Sequence, residues 1–213
     1  CYEDPMRAFD TNVMGTVNVL NACRTLKGLT SIIIVTSDKC YENVEWKYGY
    51  RETDPMGGKD PYSASKACAE IASSSMIRSF YNQPGQPLVS TVRAGNVIGG
   101  GDWANHRLVP ACIRSWSKNE KVTIRSQYAT RPWQHVLEPL SGYLRTGQAH
   151  QEQKFGGESY NFGPLFNIDR TVLELLQEIR KSWQNAVYEI ESVDDHRKEA
   201  GLLKLNCDKA AVD

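Results

Sequence analysis

The sequence carries no excess of charge of either sign. Its 213 residues contain 25 lysines and arginines and 25 aspartates and glutamates, so the formal net charge is zero. Nucleic acids and anionic membranes attract strongly basic surfaces. The balance therefore predicts no nucleic-acid partner and no membrane partner, but it allows a local basic site for a phosphorylated small molecule.

Long hydrophobic runs are also absent. No apolar stretch approaches the roughly 20 residues that a membrane-spanning helix requires. The opening residues, CYEDPMRAFD, have no basic stretch followed by an apolar core, which a secretory signal would need. We therefore expect a cytoplasmic protein.

The six cysteines lack the spacings of metal sites. No two of them form C-x-x-C, and no histidine stands at a zinc-like spacing from them. We expect reduced, mostly buried thiols and no metal site. The cysteines are Cys1, Cys23, Cys40, Cys68, Cys112 and Cys207.

A glycine-rich dinucleotide-binding turn of the form Gly-x-x-Gly-x-x-Gly is missing as well. The chain begins with Cys1 rather than Met, and the helix-start pair Asp4-Pro5 follows at once. We therefore expect a chain truncated at its N-terminus. The missing first βα units of the fold would comprise about 90 residues.

Helix and strand patterns alternate over the first 95 residues. Apolar residues at helical spacing predict helices over 6–24 and 62–81, and runs rich in β-branched residues predict strands over 31–36 and 88–94. Such runs suit parallel strands that are buried on both faces. The alternation predicts an α/β fold with a doubly wound parallel sheet.

After residue 95 the predicted elements become shorter and mixed. We expect 1–95 to be the C-terminal part of a dinucleotide-binding domain, and 96–213 to be mainly a smaller, mixed α/β substrate-binding region. Segments within about 125–165 are expected to return to the first sheet. The patterns predict helices over 108–118, 138–150 and 171–183, and strands over 122–124, 133–136, 159–162, 188–190 and 203–205.

Tyr62 and Lys66 stand one helical turn apart on the predicted helix 62–81, so their side chains share one face. An ammonium at this distance favours the phenolate and lowers the pKa of the tyrosine. Such a tyrosine can remove a proton from a sugar hydroxyl. The sequence has ten tyrosines, so a single Tyr-x-x-x-Lys spacing could also arise by chance.

Ser37 and Asp38 follow the predicted strand 31–36. A hydroxyl and a carboxylate at the C-terminal end of a parallel strand lie where open α/β sheets bind their ligands. The same pair is also typical of a turn or a helix cap. A strand, Ser-Asp, a loop and then Pro-Tyr-x-x-x-Lys on a helix form a more specific arrangement, which favours a catalytic site.

Longer stretches of the sequence resemble one enzyme family, the CDP-glucose 4,6-dehydratases, which are NAD-dependent enzymes of the extended short-chain dehydrogenase/reductase type. The resemblance rests on TSDKCYENVEWKYGYRETDPMGGKDPYSASKACAE, DPMRAFDTNVMGTVNVLNACR, VRAGNVIGGGDW, RPWQHVLEPLSGY, YNFGP and LKLNCDKA, and so covers nearly the whole chain. It implies a Rossmann-like fold that lacks its first βα units, NAD as cofactor, and CDP-glucose as substrate. The implied product is CDP-4-dehydro-6-deoxy-D-glucose.

The resemblance implies catalytic roles for five residues. Tyr62 would be the base for oxidation at C4, Ser37 would bind the C4 hydroxyl, and Lys66 would bind the nicotinamide ribose and hold the tyrosine pKa down. Asp38 would protonate the leaving C6 hydroxyl. Lys39 stands where the wider 4,6-dehydratase group has the glutamate that removes the C5 proton. That base could be a neutral Lys39, a neighbouring group or water.

Further residues would bind the cofactor or the substrate. Thr36, Tyr62 and Lys66 are the NAD contacts that the resemblance implies. Asn96 and Arg131 match residues that bind the nucleotide-sugar diphosphate, for which a guanidinium fork is well suited. Without the resemblance, Arg131 would be an ordinary surface arginine.

Two helices resemble those that form the dimer interface of extended short-chain dehydrogenases. A homodimer or a dimer of dimers is therefore implied, through helices 6–24 and 62–81. Asn12, on the first of them, matches a helix asparagine of short-chain dehydrogenases. It could equally be a polar residue in a seam between helices.

Two rival functions remain open. A nucleotide-sugar 4-epimerase shares the Ser, Tyr and Lys set, but it needs no acid at Asp38 and releases no water. A non-catalytic relic of the fold could bind a nucleotide sugar. Such a relic would have no reason to retain Ser37, Tyr62 and Lys66 together.

Overall fold

The computed structural model describes residues 1–105, 107–164, 170–191 and 201–213. Its helices are α1 (Pro5–Phe9), α2 (Gly15–Cys23), α3 (Pro61–Met76), α4 (Leu108–Trp116), α5 (Leu137–Gln151), α6 (Val172–Ser182) and α7 (Asp208–Val212). Its strands are β1 (Ser31–Val35), β2 (Leu88–Ala94), β3 (Val97–Ile98), β4 (Val122–Ile124), β5 (Thr130–Arg131), β6 (Gln134–His135), β7 (Ser159–Phe162), β8 (Arg170–Thr171) and β9 (Tyr188–Ile190).

The main sheet has parallel strands in the order β1-β2-β7. Side chains alternate between its two faces. On one face Ile32 and Val89 pack with Leu20 of α2, and on the other Ser31 and Ser90 contact α5 through hydrogen bonds. Helices therefore cover both faces, which confirms the predicted α/β fold with a parallel sheet.

The two central predicted strands differ in burial. β2 is buried along most of its length, whereas β1 is only partly buried and Val35 at its end is 50% exposed. Within the described residues, no strand pairs with the outer edge of β1. The expected burial is therefore correct for β2 and only partly correct for β1, because helices lie on both faces of β1 but its outer edge is open.

The long helices confirm the predictions for 6–24 and 62–81. α1 and α2 form one continuous helix through a π-helical turn, Asp10–Met14, and α3 continues through a second such turn, Ile77–Tyr81. Both helices begin where an aspartate that precedes a proline, Asp4 or Asp60, accepts first-turn backbone N–H groups. The Asp-Pro pairs thus act as the predicted helix starts.

A second core lies in the smaller region, where Trp116 of α4 packs with Ile124 of β4 and Leu176 of α6.

The predicted strands at 122–124, 159–162 and 188–190 are confirmed. The strand predicted over 203–205 is wrong, because that segment forms only an isolated bridge between Tyr50 and Leu205. The domain boundary at residue 95 stays a prediction.

Candidate active site

The predicted catalytic residues lie where β1 ends and α3 begins. Ser37 and Asp38 are buried, whereas Lys39 is exposed. The Ser37 Oγ accepts a hydrogen bond from the Lys39 backbone N–H at 3.2 Å and donates one to Asp38 Oδ1 at 3.1 Å. Ser37 therefore caps the short 3-10 turn Asp38–Cys40, so the turn-cap interpretation of the Ser-Asp pair is correct as well.

Tyr62 occupies the first turn of α3, two residues after the cap residue Asp60. Asp60 Oδ1 accepts the Tyr62 backbone N–H at 2.9 Å. Burial raises the pKa of the Tyr62 phenol, while hydrogen bonding by Ser37 and the charge of Arg107 oppose the rise. The structure thus brings Ser37 and Tyr62 together.

The expected downward shift of the Tyr62 pKa is wrong for this chain, because burial outweighs the nearby charges. Lys66 is half-buried one turn further along α3, and its Nζ donates to the Val35 carbonyl at 3.5 Å. Burial lowers the pKa of Lys66, and the carboxylate of Glu70 opposes that shift. Lys66 therefore lies at the C-terminal end of β1, beside the other predicted residues.

Asp38 is the most unusual ionisable group of the site. Its side chain is 5% exposed, and its Oδ2 has no hydrogen-bond partner among the described residues. Burial raises the pKa of the carboxyl to about 6, against the opposing effects of Ser37, Lys39 and Arg131. A carboxyl that keeps its proton up to this pH is suited to act as a general acid.

Arg131 and Asn96 come from two segments that pass close to one another. The charge of Arg131, on β5, acts on Asp38, and Asn96 follows β2 after Gly95. A Cβ at Gly95 would lie 2.8 Å from the Pro132 carbonyl oxygen, so only glycine allows this close approach. The structure therefore brings both predicted diphosphate ligands to one side of the site.

Thr36 is turned toward α3. Its hydroxyl donates to the Glu70 carboxylate and lies 3.4 Å from the Val92 carbonyl, and its backbone N–H bonds the same carbonyl at 2.9 Å. The hydroxyl is thus engaged within the protein. Its implied contact with NAD stays a prediction.

Asn12 lies in the π-helical turn between α1 and α2. Its Nδ2 donates to Ser65 Oγ at 2.9 Å, and Ser65 Oγ donates to the Tyr62 carbonyl at 2.8 Å. Asn12 is therefore a polar residue in a seam between helices. That seam supports the turn of α3 that carries Tyr62 and Lys66, and π-helical turns are frequent near functional sites.

Two residues near the site were not singled out in the sequence. Arg107, at the start of α4, acts on Tyr62. Burial and the charge of Asp38 together raise the pKa of Tyr143, on α5, to about 12. Tyr143 ends the stretch RPWQHVLEPLSGY, but nothing in its local spacing indicates a role.

The described part of the chain contains no group of three or more His, Cys, Asp or Glu side chains that could hold a metal ion. None of its helices combines the length and the apolar character needed to cross a membrane. The six cysteines are free thiols, of which Cys40, Cys112 and Cys207 are buried, so the expected burial holds for half of them.

The curated relatives of this chain include nucleotide-sugar dehydratases. A CDP-glucose 4,6-dehydratase of Salmonella typhimurium is 46% identical over 98% of this chain and 60% of its own length. A dTDP-glucose 4,6-dehydratase of Xanthomonas campestris is 28% identical over 83% of this chain and 50% of its own length. The chain thus spans between half and three fifths of these curated relatives.

Solved structures share the fold at low identity. The dTDP-glucose 4,6-dehydratase of Bacillus anthracis, in complex with NAD, has a TM-score of 0.80 at 22% identity, over 96% of this chain and 61% of that one. The UDP-glucuronic acid 4-epimerase of Bacillus cereus, with UDP-glucuronic acid and NAD, has a TM-score of 0.78 at 20% identity, over 95% and 61%. The family model for GDP-mannose 4,6 dehydratase matches residues 1–211 of this chain. The chain therefore belongs to the GDP-mannose 4,6-dehydratase family.

Proposed function

We propose that the full-length protein containing this chain is an NAD-dependent hydro-lyase that dehydrates a nucleotide-hexose. The proposed substrate is CDP-D-glucose, and the product is CDP-4-dehydro-6-deoxy-D-glucose. The 46% identity to a CDP-glucose 4,6-dehydratase supports this choice of nucleotide.

The observation that carries the proposal is the buried Asp38 carboxyl. A dehydratase must protonate the departing C6 hydroxyl, and an epimerase has no such step. Burial raises the pKa of Asp38 to about 6, and its Oδ2 has no hydrogen-bond partner within the part of the chain that the structure describes. This is the combination that a proton donor to a leaving group requires.

The residues present fit the nicotinamide-ribose end of NAD. Lys66 is a half-buried cation beside Tyr62, at the end of a strand whose outer edge is open within the described residues. Bound NAD would supply the hydride chemistry, by oxidation at sugar C4 and later reduction at C6. The proposed contacts are those of Tyr62, Lys66 and Thr36.

The chain's own residues supply the proton transfers and the binding. Ser37 and Tyr62 bind the C4 hydroxyl, and Tyr62 in its ionised phenolate form takes the hydroxyl proton as C4 becomes a ketone. The ketone acidifies the C5 proton, and Asp38 gives its proton to the C6 oxygen that leaves as water. Asn96 and Arg131 hold the diphosphate.

Lys39 is the proposed residue on the C5 side of the sugar. It occupies the position at which the wider dehydratase group has a glutamate, and it is exposed. An amine accepts a proton only in its neutral form. If Lys39 is the C5 base, Lys39→Met will abolish exchange of the C5 proton with solvent deuterium; undiminished exchange would assign that step to water or a neighbouring group.

The test of the dehydratase proposal is Asp38→Asn in the full-length protein. The amide cannot donate the acid proton, so the rate of water loss should fall about 100-fold. Reduced nicotinamide should still accumulate on addition of substrate, because oxidation at C4 does not need Asp38. The control is Asp208→Asn, which replaces an exposed aspartate on α7. Dehydration at the wild-type rate in Asp38→Asn would refute the acid role of Asp38.

A 4-epimerase is the second candidate, because solved 4-epimerases share the fold as closely as the dehydratases do. It would use Ser37, Tyr62 and Lys66 and leave Asp38 without a role. Asp38→Asn would then retain activity, and the product would be an isomer of the substrate.

A homodimer or a dimer of dimers in the cytoplasm completes the proposal. The helices concerned expose large apolar side chains, including Met6, Met14 and Ile71, which are 72%, 50% and 59% exposed. Exposed apolar patches of this kind are typical of interaction surfaces. A monomer in light scattering of the full-length protein would exclude this assembly.

A further inference from the structure

A buried ion pair lies directly behind the candidate active site. Glu70 of α3 and Arg93 of β2 make two parallel contacts, Nε to Oε1 and Nη2 to Oε2, each at 2.9 Å. Their side chains are 3% and 2% exposed. The geometry is the bidentate form that gives an arginine–carboxylate pair directional specificity.

The pair reaches both ends of the segment that carries Ser37 and Asp38. On one side the Thr36 hydroxyl donates to Glu70. On the other, Arg93 Nη1 donates to the Tyr41 hydroxyl at 2.7 Å, and that hydroxyl donates to Asn161 Oδ1 at 2.7 Å. Residues 37–40 therefore lie between two attachments to one ion pair.

The same pair is joined to the other parts of the site. Glu70 lies one helical turn after Lys66, and its carboxylate acts on that ammonium. Arg93 lies on β2, three residues before Asn96. The elements that present the acid, the tyrosine and one diphosphate ligand thus meet at Glu70 and Arg93.

Stability alone is a weak reason for such a pair. Removing two charges from water costs several kcal/mol per ion, and well-packed apolar residues often serve stability equally well. A bidentate pair fixes the relative position of α3 and β2 more narrowly than apolar packing does. Fixed geometry is of value where reacting groups must be held within a fraction of an ångström.

We propose that Glu70 and Arg93 form a positioning unit which, through Thr36 and Tyr41, holds the Ser37–Lys39 segment in register with Tyr62 and Lys66. This inference rests on the proposed dehydratase function only for its kinetic consequence. The geometric consequence, an ordered 36–41 segment, is independent of the reaction.

Tyr41→Phe is the variant that tests this unit with least disturbance. It keeps the ring, which stacks on Tyr50 at a centroid distance of 5.2 Å, and removes only the hydroxyl between Arg93 and Asn161. In the full-length protein, kcat for dehydration should fall on the order of ten- to a hundredfold with KM changed less than about twofold. Amide exchange in a peptide covering 36–41 should become faster, because the Cys40 N–H to Ser37 carbonyl bond at 3.3 Å loses its support.

Ser90→Ala is the matched control, because Ser90 lies on β2, the strand that carries Arg93. Ser90 is fully buried and bonds His150 and the Phe155 carbonyl on the opposite face of the sheet. Its loss should lower the Tm without changing kcat or the exchange of 36–41.

Each result has a defined meaning. If Tyr41→Phe keeps the wild-type kcat and the wild-type amide exchange, the proposal is overturned. It is also overturned if Tyr41→Phe and Ser90→Ala lose kcat equally and in proportion to their loss of Tm. Faster exchange confined to Tyr41→Phe, with the fall in kcat, supports it. If the wild-type protein converts no nucleotide sugar, the proposed function fails, and the exchange comparison alone decides the positioning role.

Discussion

His150 belongs to no sequence motif, but its side chain joins α5 to the main sheet. Its ring is fully buried between α5 and the sheet, with Nδ1 2.8 Å from Ser31 Oγ and Nε2 2.9 Å from Ser90 Oγ. Burial lowers the pKa of His150 below its usual value of 6.5. The native state therefore favours the neutral ring.

A pH dependence of stability follows from that shift. Because the folded pKa lies below the unfolded one, the contribution of neutral His150 is complete above pH 6.5 and is lost as the pH falls from 6.5 toward the folded pKa. The slope cannot exceed about 1.4 kcal/mol per pH unit, which is the limit for one proton. His150→Gln should flatten the dependence measured by denaturant unfolding, and exposed His135→Gln should not; identical slopes in all three proteins would contradict the assignment.

Motifs predict only some of the residues that form the site. Ser37, Asp38, Tyr62 and Lys66 lie near one another in sequence or in a known spacing, so a pattern can reveal them. The Glu70–Arg93 pair joins residues 23 positions apart, and the Tyr41–Asn161 contact joins residues 120 apart. Such pairs depend on the register of β1, β2 and β7, which the single sequence does not specify.

At the level of elements, the start of α3 has a direct bearing on the chemistry. Asp60 accepts the backbone N–H groups of Tyr62 and Ser63, so it fixes the turn that carries the tyrosine. Asp60→Ala should cost about 1 kcal/mol of stability. It should also lower kcat, because the first turn of α3 frays.

Asp4→Ala offers a matched comparison for that prediction. Asp4 also precedes a proline and caps a helix, α1, but it is exposed and its first turn carries none of the proposed catalytic residues. We expect a similar or smaller loss of stability and an unchanged kcat, measured by thermal unfolding and by product formation. A loss of kcat that is equal in the two variants would show that the cap of α3 has no special role.

The long elements were predictable because their hydrophobic periodicity is strong, as in α3 and β2. Among the two-residue strands, β6 was predicted within 133–136, but β3, β5 and β8 were not, since their pairing depends on loops that approach one another only in the folded chain. The π-helical turns also leave no periodic signal. The error at 203–205 has the same origin, because an apolar run there packs Leu203 into a core beside Tyr41 without extended pairing.

At the level of the whole molecule, the chain contains the proposed catalytic residues but little that would bind the pyrophosphate of NAD. It has no glycine-rich turn for a pyrophosphate, and the edge of β1 is open within the described residues. We therefore expect the 213-residue chain alone to bind NAD weakly or not at all. Calorimetric titration measures this directly, with the full-length protein as the positive control, and saturable binding at micromolar affinity by the chain would contradict it.

The proposed reaction of this site is the removal of water from CDP-glucose. The most direct measurement incubates the full-length protein with NAD and, separately, with CDP-, dTDP-, UDP- and GDP-hexoses, and weighs the products by mass spectrometry. We expect that CDP-glucose alone yields a product lighter by one water. A product of unchanged mass with a rearranged sugar would contradict the claim in favour of an epimerase, and unaltered substrate in every tube would contradict it in favour of a binding protein.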